Sequence, residues 1–391
     1  MIVKNTLLKN GLVYNFEQDK YEKKDILIKD KKIDKVSESI TETLSDLEVI
    51  ELNGAYVSPG IIDCHTHLGI IEECTGKIGQ DNNETSESVT PQLNGIDGIN
   101  PLDVSFEDAV RSGVTCVMSG PGSNNVVGGR NVAVKTYGRI IDKMIVKNPV
   151  GFKIALGENP LATYGVKEKA PVTRMGVAAL IRDLFMRTED YIARKEANKL
   201  DERNIKLEAV IPVIKGEIPL RVHAHRADDI ATAIRIAEEF HINKMVIEHG
   251  TEAHLIKEYI KEKNIPIAYG PLLTPRIKME LKARKYSNIV ELVGEGITTA
   301  LITDHPYNSI DCLRSIAAIA EGEGLSHKDA LKAITINAAE ILNCGDRLGK
   351  LEAGYDADIV VYDMEPLDIK SKVKYTIIDG IVVYDANEKR C

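Results

Sequence analysis

Apolar and polar positions alternate in short runs at both ends of the chain, and a strand-then-helix rhythm fills the space between them. From Ile2 to about Val57 the runs LLKNGLVYN and KKDILIKDKKIDKV read as antiparallel strands, with Asp30-Lys31-Lys32 as a tight turn before a strand carrying Ile33 and Val36. The far end repeats the style. DADIVVYD at 356–363 is followed by YTIIDGIVVYD at 375–385, folded at Asp379-Gly380, a dipeptide suited to a hairpin turn. Neither end holds enough strands to be stable alone, so the two are expected to pair. That pairing predicts a small β-sandwich, residues 1–58 with 350–391, beside a larger unit at 59–349.

In the middle, apolar runs begin near Ile61, Val114, Val132, Phe152, Leu220, Lys244, Ile265 and Ile297. The clearest of them do not alternate, as expected of strands covered on both faces. Helical spacing follows several of them. VSFEDAVRS is capped by Ser105 and stopped at Gly113; an amphipathic stretch has its core over 175–194; DDIATAIRIAEEFH starts at Asp228; EAHLIKEYIKEKN and CLRSIAAIAEGEG come later. Strands alternating with helices at this spacing mean parallel βα units, and eight would close a barrel. The predicted fold class is therefore α/β, a (β/α)8 TIM barrel with a small β-sandwich built from both termini. Two segments interrupt the rhythm. The polar stretch 70–102 is too long for an ordinary connection and is expected to form a lid. PGSNNVVGGR at 121–130 lacks the Lys-Ser/Thr of a phosphate loop and reads as a turn region that helps to form a site.

Composition narrows the partners. The chain is 43% apolar and 28% charged, and its net charge of -9 is spread along the chain, which points to neither a nucleic-acid nor a membrane partner. The N-terminus has no signal-peptide core, and no run reaches the roughly 18 apolar residues of a membrane span, so a cytoplasmic location is the default. Cys64, Cys74, Cys116, Cys312, Cys344 and Cys391 contain no CxxC pair and read as reduced thiols.

What changes the picture is where His and Asp fall. PGIIDCHTHLG ends in His65 and His67, whose spacing of two points both imidazoles to one side of a strand, where they can converge on a metal ion. LRVHAHR ends in His223 and His225, KMVIEHG in His249, and ITTALITDHP in Asp304. Active sites of (β/α)8 barrels lie at the C-terminal ends of the strands. Histidines placed for packing would have no reason to sort this way, so a metal site is expected at that face.

At these residues the chain resembles the amidohydrolase superfamily: PGxIDxHxH on the first strand, a His on the fifth, a His in IEHG on the sixth, an Asp on the eighth. The resemblance spans nearly the whole chain, including a closing LGKLEAGYDADIVVYD like the segment that re-enters the split sandwich there. Within the superfamily the chain is most similar to the imidazolonepropionase-like and metal-dependent dipeptidase branch. The resemblance implies one or two divalent ions of zinc type, the more buried held by His65 and His67 and the more exposed by His223 and His249. Asp304 would be both ligand and proton shuttle. For the fourth strand, relatives carry a carboxylated Lys or a Glu, and this chain offers Lys153 and Glu158. Glu158, at the predicted strand tip, is taken as the ligand, although GFKIAL resembles the segment in which several relatives carry the modified Lys. His225 could replace His223, and His225, Arg226 and His305 are the expected substrate contacts.

The implied chemistry is hydrolysis of an amide or other C–N bond (cyclic amide, dipeptide or N-acyl amino acid) by metal-activated hydroxide, with Asp304 acting as base and then as acid. A deaminase is the alternative. Sites of that kind usually carry a Glu three residues after the fifth-strand His, where this chain has Arg226. A non-catalytic metal-binding or scaffold relative would have lost ligands that are kept here. Arg130, Lys135 and Arg226 would suit a carboxylate-bearing small-molecule substrate, and a homo-oligomer is compatible with the pattern without being required by it.

Overall fold

The chain opens on a sheet that its last residues complete, in a computed structural model that describes residues 5–42 and 46–388. Ile2 and Cys391 lie outside the described residues. Strands β1 (Thr6–Asn15), β2 (Lys20–Lys29) and β3 (Lys32–Ser37) form an antiparallel meander. Its β2–β3 turn has φ of 46° at Asp30 and 69° at Lys31, the left-handed pair a tight hairpin turn uses. Strand β1 is broken at Asn10, φ 61°, so that its first half pairs with β4 (Glu48–Glu51) and its second with β5 (Tyr56–Pro59).

The chain then enters the barrel. In order come β6 (Ile61–Thr66), α1 (Val104–Ser112), β7 (Val114–Ser119), β8 (Val127–Lys135), β9 (Ile145–Ala155), α2 (Glu158–Tyr164), α3 (Arg174–Glu196), α4 (Ile205–Ile214), β10 (Leu220–Ala224), α5 (Ala227–Glu239), β11 (Met245–His249), α6 (Lys257–Glu262), β12 (Ile267–Tyr269), α7 (Asn288–Gly294) and β13 (Thr299–Leu301). The eight strands lie side by side in sequence order. The edges of this sheet meet where Asp304 N donates to His65 O at 3.2 Å and His67 N to His305 O at 2.9 Å. Helices α8 (Leu313–Gly322), α9 (His327–Ala333) and α10 (Ile336–Ile341) follow, and Ala338, Ala339 and Ile341 of α10 pack on the barrel interior of Ile62, Cys116 and Ala300. Among the described residues no helix is long and apolar enough to cross a membrane.

Two expectations need correction. Strand β8 runs antiparallel to both β7 and β9, so the barrel is not uniformly parallel. A parallel crossover needs a dozen or more residues, and only residues 120–126 and 136–144 flank β8. The cap of α1 is Asp103, whose side chain accepts from Ser105 N, while Ser105 lies inside the helix. The end domain is built from both termini, as expected, and its hydrogen-bonded sheet curls so that Lys32 of β3 bridges back to Asp356. Strands β14 (Ile359–Tyr362), β15 (Val373–Ile378) and β16 (Ile381–Asp385) join it in the order β16-β15-β14-β5-β1-β2-β3, around a shared core that includes Leu8, Ile26, Val57 and Ile359.

Candidate active site

Six of the chain's nine histidines and several buried charges gather at the strand ends that the barrel brings to one face. The backbone helps to aim two of them. His249 has φ 74° and Asp304 φ 55°, left-handed conformations that bend the chain just past the strands, and strain of this kind persists where the surroundings demand it.

The described residues form two donor groups, His65–His67–Asp304 and His223–His225–His249, each with its ligand atoms within 4.8 Å of one another. In the first, His65 Nε2 and His67 Nε2 approach the same oxygen, Asp304 Oδ1, at 3.2 and 3.4 Å. Ligands bound tetrahedrally at zinc-type distances sit about 3.3 Å apart, so the spacing is that of a metal site. In the second, the His223 and His249 ring centroids are 4.4 Å apart, and His225 stacks on His249 at 4.8 Å. His65 and His249, 5.0 Å between centroids, join the groups. A cavity of about 200 Å³ opens onto both, with His67, His223, His225, His249 and Asp304 in its wall.

Second contacts fix the rings. His67 Nδ1 lies 2.8 Å from Gly120 O and His249 Nδ1 2.8 Å from Gly270 O. A carbonyl can only accept, so Nδ1 carries the proton in both and Nε2 is left with its lone pair, the arrangement metal-binding histidines use. Burial, reinforced by neighbouring positive charge, pushes His223 and His225 well below the usual imidazole range and His249 down to about 3. His65 goes the other way: burial lowers it, but the Glu248 carboxylate, Nδ1 to Oε1 2.9 Å, and Asp304 together more than offset that. Burial would raise Asp304, yet His65, with Nε2 3.2 Å away, holds its carboxyl well below the carboxylate range.

These residues fit a divalent ion. His65 Nε2, His223 Nε2 and Asp304 Oδ1 are buried without a well-formed hydrogen bond. Each such group left unmet costs about 1–3 kcal/mol, and a cation would satisfy all of them with a nitrogen and oxygen set of the kind zinc takes.

Next to the donors lies a buried ionic layer. Lys153 Nζ pairs with Glu248, and Arg221 bonds Glu248 Oε1 through Nε at 2.7 Å and Cys64 O through Nη2 at 2.7 Å. Lys153 and His65 thus sit on the two oxygens of one carboxylate, Glu248. Asp63 ties the barrel seam by accepting from Thr303 N at 3.0 Å and Thr303 Oγ1 at 2.6 Å. Glu280, 1% exposed, brings Oε1 to 3.6 Å from His225 Nε2 and 3.9 Å from His223 Nε2.

Not every expected residue is there. Glu158 joins neither donor group. The strand ends at Ala155, Gly157 turns the chain at φ 89°, and Glu158 becomes the first, half-buried residue of α2. Arg226 is partly exposed and clasps Asp228 through Nε at 2.9 Å and Nη2 at 2.7 Å. His305 is buried outside the cavity wall, its Nδ1 accepting from Ile310 N at 3.2 Å. Lys135 is bound to Asp356 and Asp358, and Arg130 is on β8, away from the wall. The lid expectation holds only in part: Asn82 and Asn83 of segment 70–102 line the cavity, while Val89 and Asn94 bridge to β8.

Residues 56–383 match the Amidohydrolase family. A crystal structure of an amidohydrolase from Thermotoga maritima MSB8 is 42% identical with a TM-score of 0.94, covering 97% of this chain and 100% of that one. Amidohydrolase tasK of Hapsidospora irregularis is 28% identical over 394 residues, 92% of this chain, which spans only 40% of that relative's length. Imidazolonepropionase of Picrophilus torridus is 23% identical over 422 residues, 98% of each chain. With the family match running through barrel and flanking sheet alike, and a solved relative of the same shape, the chain belongs to the amidohydrolase family.

Proposed function

We propose that this chain is a metal-dependent hydrolase of an amide or other C–N bond in a small molecule, of the cyclic amide, dipeptide or N-acyl amino acid kind. The observation that carries the reading is the pair of donor groups facing one cavity at the C-terminal ends of the barrel strands. His65, His67 and Asp304 would hold one ion, and His223 and His249 the other, with His225 beside them. Lys153, carboxylated, replaces Glu158 as the fourth-strand ligand in this reading, because it is buried and shares the Glu248 carboxylate with His65; the modification would end its own pairing with Glu248.

A bound zinc-type ion supplies an activated water near neutral pH and draws charge from the scissile carbonyl oxygen. The chain's own residues do the rest. Asp304, kept ionised by His65 beside it, takes the proton from the attacking water and returns it to the leaving nitrogen. Glu248 and Arg221 hold His65 and the end of β6 in place from below. The cavity wall orients the substrate.

Metal content by mass spectrometry, together with hydrolysis of a panel of N-acyl amino acids, dipeptides and cyclic amides, tests this. One to two zinc-type ions per chain and turnover of a panel member are expected, and His65→Ala with His67→Ala should lose metal while the fold stays intact. Full metal retention by that double variant would refute the site. Ammonia release from an aminated heterocycle without any amide hydrolysis would replace the reading with a deaminase.

A further inference from the structure

The cavity wall carries one lysine and no arginine among the described residues, and that lysine was not among the cations the composition singled out. Lys278, in the loop after β12, faces the same space as His225, His249 and Asp304. Its Nζ stands 2.7 Å from Glu280 Oε1 and donates to Asn159 Oδ1 at 2.8 Å. An ammonium has three N–H groups, so one is left for a ligand. Its holders are themselves fixed. Glu280 is buried and accepts Glu158 N at 3.0 Å on its other oxygen, while Asn159 donates to Ser123 Oγ at 2.7 Å. The segments that follow β7, β9 and β12 are thus tied together at this amine.

An exposed lysine is a flexible, strongly hydrated point charge. Lys278 is instead about one-quarter exposed and held from two sides. In a cavity of about 200 Å³, a ligand of amino-acid size that reaches the imidazoles also reaches this amine. We infer that Lys278 is the anchor for a carboxylate on the substrate, with Glu280 and Asn159 as positioning residues that aim it. The inference rests on reading the site as a C–N hydrolase, and it narrows the substrate class to amides with a free carboxylate near the scissile bond, such as dipeptides and N-acyl amino acids. Simple neutralisation of Glu280 is the competing role, and it predicts no selectivity for acids.

Binding decides between them. Zinc-supplemented protein is titrated by calorimetry with a panel of N-acetyl-L-amino acids and dipeptides and with their C-terminal amides, for wild type, Lys278→Met and Lys278→Arg. At least one acid should bind the wild type about tenfold or more tightly than its amide, as a charge-assisted hydrogen bond in a partly desolvated pocket provides. Lys278→Met should erase that preference with amide binding changed less than about twofold, and Lys278→Arg should keep part of it. No acid preferred over its amide in the wild type overturns the inference without needing any variant, as does a preference that survives Lys278→Met. Failure of the hydrolase reading shows separately, as bound ligands that are never turned over.

Discussion

Asp304 stands in the left-handed region at φ 55°, which Asn and Asp tolerate better than other side chains. Asp304→Asn therefore keeps the backbone and an oxygen donor while removing the capacity to take a proton. On the proposed assignment kcat should fall about 10²–10⁴-fold with metal content retained. Because the carboxyl is held well below its usual value, the base is present above that pKa and is lost as pH falls through it. The wild-type pH–rate profile should thus carry a strongly acidic limb that is missing in the variant, and near-normal turnover with an unchanged profile would assign the proton to another group. For the fourth strand, Lys153→Met should lower metal content and Glu158→Gln should not, with intact mass showing one added carbon dioxide on the wild type. Metal loss in Glu158→Gln alone would restore the strand-tip assignment. His65, His67, His223, His249 and Asp304 were legible because each closes an apolar run. Glu158 does not sit at a strand tip as expected, because Gly157 ends the strand early, a conformational fact no apolar pattern carries. Asp63, Lys153, Arg221 and Glu248 did leave a signal, a lone charge within an otherwise apolar strand. Lys278 and Glu280 left none, since they reach the site from an irregular loop.

At the scale of elements, connection length separates what the pattern revealed from what it hid. The βα rhythm from β10 to β13 is read directly, since each helix announces a crossover. Strands β7 to β9 look equally apolar, and only their short connections disclose that β8 turns back. That reversal gives segment 70–102 its support. Thr90 N bonds Val127 O at 2.9 Å and Arg130 N bonds Leu93 O at 2.9 Å, so the segment lies along β8. Gly129 makes the contact possible: it sits at φ 114°, and a Cβ there would meet Leu93 O at 2.4 Å. Gly129→Ala should cost about 2–3 kcal/mol through strain and displaced backbone. Because Asn82 and Asn83 of the same segment line the cavity, the variant should also be cut faster by protease within 70–102 and bind ligands more weakly. Wild-type stability and protection in Gly129→Ala would show that the segment is held elsewhere.

The whole molecule depends on a joint between barrel and end sheet that the sequence offered only as unassigned charges. Lys135, at the end of β8, is buried against Asp356, 3.0 Å away, with Asp358 and Asp379 around the same amine. Asp356 also receives Arg347 Nη2 at 2.6 Å and is paired with Lys32 from the first hairpin. One carboxylate thereby links the third barrel strand, the segment after α10 and both ends of the chain. Lys135 read as a substrate contact because a cation's position in sequence says nothing of which carboxylates will enclose it. Burial alone would raise the Asp356 pKa, but Lys135, Arg347 and Lys32 hold it at about 2, whereas at Asp358 burial outweighs Lys135 and the pKa is pushed up. The folded Asp356 therefore has the lower pKa, so its contribution is complete above the unfolded value near 4 and disappears as pH falls through about 2. Asp356→Asn leaves three cations short of one partner and should cost about 3 kcal/mol at neutral pH. The shift itself accounts for about 2 kcal/mol of pH-dependent stability, so denaturant midpoints of wild type and variant should draw together between pH 4 and 2. Midpoints that stay equally far apart across that range would mean that the joint is held by packing, with the ion network a bystander.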